Sequence, residues 1–147
     1  MHLEGIYSGA SALAMIGWLA LALAPLGRPH CVAFARILAL LLCVAYLAQY
    51  FFTTETVEGG GFGSLAEISA LFTSSGNVML GWTHYLAFDL FIGSWEVEDA
   101  GKEGLPHWLV LPCLFLTLMG PLASCSTSRS GPAVASSFPH ELAEGRR

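Results

Sequence analysis

The sequence predicts an all-α fold: an integral membrane four-helix bundle with a short amphipathic helix between spans two and three. Three observations carry this. The 147 residues are 54% apolar and only 12% charged, whereas soluble domains run about 45–50% apolar and ~25% charged. Four apolar runs stand at residues 6–25, 31–52, 77–95 and 105–123, each long enough at ~1.5 Å rise per residue to cross a ~30 Å hydrocarbon core. None alternates as a strand would, and in lipid only helices or closed barrels satisfy their backbone groups.

The first run, with SALAMIGWLALALAP at its heart, is read as a retained helix. A signal peptide would want Lys or Arg ahead of it, and MHLEG has neither. Pro25, Gly27 and Pro29 separate it from the second run, CVAFARILALLLCVAYLAQYFF. Arg36 lies near the start of that helix and can snorkel toward the headgroups. A glycine-rich break, Gly59–Gly61 and Gly63, precedes SLAEISALF. There Ser64 and Glu67 have capping-box spacing, and Leu65, Ile68, Leu71 and Phe72 recur at helical spacing. This segment is expected on the membrane surface or folded back onto the bundle. Between the last two runs lies EVEDAGKEG, read as a solvated turn. Pro106 should sit near the first turn of the fourth helix and Pro112 should kink it. The segment 125–147 is rich in Ser, Pro and Gly and reads as a disordered polar tail, leaving 1–124 as the membrane domain. The few basic residues lean toward both termini outside the cytoplasm.

A net charge of −5 without a basic cluster excludes nucleic acid as a partner. Cys31, Cys43, Cys113 and Cys125 show no C-x-x-C or zinc spacing and read as small packing residues. No metal or cofactor is expected. A haem would need paired histidines at one depth, and His30 with His107 is the sole pair that fits.

The chemistry concentrates in the third run, GWTHYLAFDLFIGSW. Ionisable groups in a span cost ~2.5–3.5 kcal/mol on insertion scales, so they mark function by default. At ~100° per residue, Asn77, His84, Phe88, Phe91 and Trp95 fall on one stripe. Trp82, Tyr85, Asp89 and Glu96 fall on another. His84 and Asp89 therefore point about 140° apart. Tyr85 and Asp89 are i,i+4 neighbours able to hydrogen-bond. A carboxyl group in apolar surroundings stays protonated and can act as an acid; a neutral histidine can accept a proton. The aromatic side chains suit a flat, apolar ligand. The competing reading is structural: polar side chains bond helices together at ~0.6–2 kcal/mol each, with Asp89 reaching Arg36 or Gln49.

The pattern GW-x-HYLAFDLF-x-G, followed by PH, LPC-x-x-LT and GP, resembles the small four-helix membrane family named for the plant abscisic-acid-deficient protein needed for neoxanthin formation. It stands at Gly81, Trp82, His84, Tyr85, Asp89, Gly93, Pro106, His107, Pro112, Cys113, Thr117, Gly120 and Pro121. GGFGSLAEISALF also resembles the segment that precedes it. Ser94 stands where the family pattern leads one to expect a basic residue, and SCSTSRSGP replaces an apolar continuation after Pro121.

The resemblance implies a carotenoid or related isoprenoid as ligand and the lipid bilayer as setting. It also implies, as a candidate reaction, the redox-neutral opening of a violaxanthin epoxide to the allene of neoxanthin. On that reading Asp89 is the acid, assisted by Tyr85, and His84 a base or orienting group. Trp82, Phe88, Phe91, Trp95, Asn77 and His107 would line the substrate. Two alternatives stand beside it: a non-catalytic scaffold holding pigment or organising a membrane enzyme complex, and a small proton-coupled transporter using Asp89, which would require a homo-oligomer. A cell membrane is the expected location, with a plastid membrane implied by the family.

Overall fold

The computed structural model describes residues 3–119. The predicted tail and the end of the fourth run, including Gly120 and Pro121, lie outside the described residues. Within them the chain is all-helical, with five α-helices.

Helix α1, Leu3–Ala22, is joined through a 3₁₀ turn, Ala24–Leu26, to α2, Arg28–Phe52. Both are long and apolar enough to cross a membrane. Pro25 is the second residue of the 3₁₀ turn, where its missing N–H and fixed φ are tolerated. Helix α3, Leu65–Leu71, begins where the S-x-x-E spacing places it. Ser64 Oγ accepts from Glu67 N at 3.2 Å, and Glu67 Oε2 accepts from Gly63 N at 2.9 Å. No residue of α3 is buried, so it lies on the outside of the bundle.

Helix α4 runs from Ser75 to Lys102, 28 residues. It starts two residues before the predicted run and ends seven after it. EVEDAGKEG is therefore not a solvated turn: all but its last two residues continue the helix. The turn comes at Gly104, whose φ of +68° is a left-handed conformation open to glycine. Helix α5, His107–Met119, follows Pro106 directly and contains Pro112.

The successive helices run up and down, with α4 central: it packs on α2, α1 and α5. Small residues let the backbones approach, as at membrane helix interfaces. Gly17 of α1 faces Leu90, and Gly93 of α4 lies under the Trp18 ring and Leu114. Ala10, Ala14, Ala35, Ala39, Ala87 and Ala100 are all buried. The outside is apolar instead: Met15, Ile16, Leu19, Leu40, Val44, Leu47, Phe51, Phe88, Phe91 and Phe115 are exposed. That belt is far more continuous than scattered apolar residues on a water-facing surface.

Candidate functional site

Because α4 has neighbours on several sides, its two polar stripes open onto different places. His84 faces α2. Its ring lies 5.6 Å from that of Tyr46 and 6.2 Å from that of Phe88, nearly parallel to the latter at 5°. It borders two cavities along the α2–α4 seam. One, about 470 Å³, lies among Ala39, Leu40, Cys43, Phe88 and Phe91, with Arg36 at its end. The other, about 420 Å³, lies among Tyr46, Tyr50, Phe62, Phe72 and Leu80. Together they follow α4 from Phe91 to Asn77, about 21 Å at 1.5 Å per residue. Many lining side chains are exposed, so the groove opens outward.

Asn77 borders the lower cavity, but its amide is used by the backbone. Nδ2 donates to Glu55 O and Leu71 O at 3.0 Å each, and Oδ1 accepts from Glu55 N at 3.1 Å. This side chain clasps the α2–α3 connection to α4. Ser74 supports it by donating to Glu55 Oε2 at 2.6 Å while accepting from Gly76 N.

The second stripe faces α1 and α5. Trp82 Nε1 donates to Ser11 Oγ at 3.2 Å, and its ring stacks between those of Tyr7 and Tyr85, both at 5.8 Å. Tyr85 stays beside Asp89, but its hydroxyl donates to Leu118 O at 2.7 Å. Asp89 is 7% exposed, and its Oδ2 is buried without a hydrogen-bond partner among the described residues. Two turns on, Glu96 is 2% exposed. Thr117 Oγ1 donates to its Oε1 at 2.8 Å, while Oε2 has no described partner. Gly93, between the two carboxyl groups, is covered by Trp18. The seam thus buries two carboxyl oxygens that no described residue hydrogen-bonds, an arrangement that is costly unless a proton, water or ligand meets them.

His84 and the Tyr85–Asp89 pair are therefore on separate faces, as the 140° spacing predicts, and no one small ring touches all three. Phe88 and Phe91 join His84 in the groove; Trp82 lies with Tyr85; Trp95 is exposed. His107 Nε2 lies 3.1 Å from Ala22 O, linking α5 to the end of α1.

The predicted Arg36–Asp89 and Gln49–Asp89 bridges do not form. Arg36 Nε donates to Ser94 Oγ at 3.3 Å and Nη2 pairs with Glu98. A positive charge thus stands at position 94 after all, supplied by α2. Gln49 Oε1 accepts from Thr83 Oγ1 at 3.0 Å. The Arg36 and Lys102 side chains, hydrogen-bonded to Glu98, hold its carboxyl below the usual range. Sequence reasoning placed Glu96 on the Asp89 stripe but read the acidic run around it as solvated. The stripe itself was the signal.

Compared with known families, residues 5–126 match the family model described as ABA4-like, ABA DEFICIENT 4-like. No curated protein and no solved structure matches the chain.

Proposed function

The chain belongs to the ABA4-like family, and from that premise we propose that it is a multi-pass membrane protein that binds a carotenoid or related isoprenoid along the α2–α4 groove. The observation that carries this is the pair of adjoining, outward-opening cavities sharing His84 and bordered by Phe88, Phe91, Tyr46, Tyr50 and Phe72. A long, narrow, aromatic-lined trough suits a rod-shaped apolar molecule better than a compact one. The apolar exterior of all the long helices supports a bundle that crosses the bilayer more than twice, with α4 and α5 as further spans.

Catalysis is the finer reading. Violaxanthin-to-neoxanthin isomerisation needs an acid at the epoxide oxygen and a base at the carbon-bound proton. His84 lies in the groove as a proton acceptor. Asp89, with Oδ2 unpartnered, is a proton donor on the opposite face. Their separation favours binding over a single His–Asp constellation.

The test is pigment chromatography of violaxanthin-accumulating cells with and without the protein. Bound pigment that co-purifies with the chain, and falls at least fivefold in Phe88→Ala and His84→Ala, supports the groove. Neoxanthin that disappears in Asp89→Asn would add the isomerase. Neither bound pigment nor product, with folded protein in the membrane, overturns the proposal.

A further inference from the structure

We propose that a third cavity, where α2 begins and α4 ends, binds the phosphate headgroup of a bilayer phospholipid, whose acyl chain runs on into the α2–α4 groove. The inference rests on the membrane reading above but not on the pigment. The cavity, about 370 Å³, is bordered by Arg28, Arg36, Lys102, Glu98 and Gly101. Its three cations face one carboxylate.

That carboxylate is already engaged. Glu98 pairs with Arg36 and accepts from Lys102 Nζ at 3.1 Å. Arg28 has no hydrogen bond or ion pair among the described residues. Its side chain lies across Gly101, where a Cβ would run into the guanidinium. The missing side chain of Gly101 thus sets the position of Arg28 over the cavity. No side chain caps the N-terminus of α2, so the positive end of a 25-residue helix adds to the same field.

The position selects the occupant. Arg28 is the first residue of a helix long and apolar enough to cross a membrane, the level at which headgroups lie. Arg36 borders both this cavity and the apolar one below it. A charged chamber thus adjoins an apolar trough, and a molecule with a phosphate and an acyl chain fills the chamber and enters the trough at its Arg36 end, where it competes with the pigment. Basic pockets between helices at this depth take anionic headgroups.

The experiment uses the full chain purified in mild detergent, with native mass spectrometry as readout. The probes are phosphatidylglycerol, diacylglycerol of the same chains, geranylgeranyl phosphate and inorganic phosphate. We expect phosphatidylglycerol to be retained at least tenfold better than diacylglycerol. Arg28→Gln with Lys102→Gln should abolish that preference. Gly101→Ala, which keeps every charge but displaces Arg28, should reduce it severalfold, with helicity unchanged by circular dichroism.

Equal retention of the two lipids, or a preference untouched in both variants, overturns the site. Displacement by millimolar inorganic phosphate, or tighter retention of geranylgeranyl phosphate, overturns the phospholipid as occupant. Failure here leaves pigment chromatography unaffected, so the two proposals fall separately.

Discussion

Asp89 and Glu96 share a stripe, a depth of burial and an unpartnered oxygen, yet they differ in support. Glu96 takes a hydrogen bond from Thr117 on a neighbouring helix; the group beside Asp89 is Tyr85 of its own helix, whose hydroxyl also reaches Leu118 O at 2.7 Å. Thr117→Val preserves shape and removes the only described donor to Glu96. It should destabilise the protein by about 1–3 kcal/mol, the cost of leaving a buried acceptor unsatisfied, read as a lowered thermal midpoint in detergent. Glu96→Gln should cost less, because its amide can still accept from Thr117. At this scale the sequence was partly legible. Helical spacing separated His84 from Asp89 and put Glu96 with Asp89. It could not show that Asn77 spends its whole amide on Glu55 and Leu71, because those partners come from segments whose positions spacing along one helix does not fix.

Among the elements, the first two apolar helices and the capped α3 were readable because their signals are local: apolar length, prolines, and an S-x-x-E pair. Helix α4 was not, beyond its apolar part. Its acidic end looks like a turn because charge density is what exposed turns have, while the partners that hold it are on other helices: Arg36 on α2 pairs with Glu98, and Thr117 on α5 donates to Glu96. The start of α4 is equally dependent on a neighbour. A Cβ at Gly76 would collide with the carbonyl oxygen of Thr53 at the end of α2, and backbone cannot step aside as a side chain does. Gly76→Ala should therefore cost about 1–3 kcal/mol through overpacking. Protease cleavage in the 53–64 connection should rise with it. Unchanged stability would mean that α2 and α4 are not this close at that end.

On the scale of the whole molecule, one ion-pair group among the described residues joins α2 to α4. The depressed Glu98 carboxyl, hydrogen-bonded first by Arg36 and then by Lys102, contributes stability that is present above the unfolded carboxylate value of about 4.3 and is lost as pH falls through the lower folded value. The difference in thermal midpoint between the wild type and Glu98→Gln should be largest near neutrality and shrink on acidification below about pH 4. A difference that grew on acidification would mean Glu98 is not held charged.

The outward-opening groove between α2 and α4 has a last consequence. On the proposed membrane-spanning reading, a molecule reaching it arrives sideways, from among lipid tails, after partitioning out of water. Occupancy would then follow the ligand's mole fraction in the surrounding amphiphile, not its molarity in the buffer. Adding empty micelles at fixed protein and ligand should strip the groove by dilution alone.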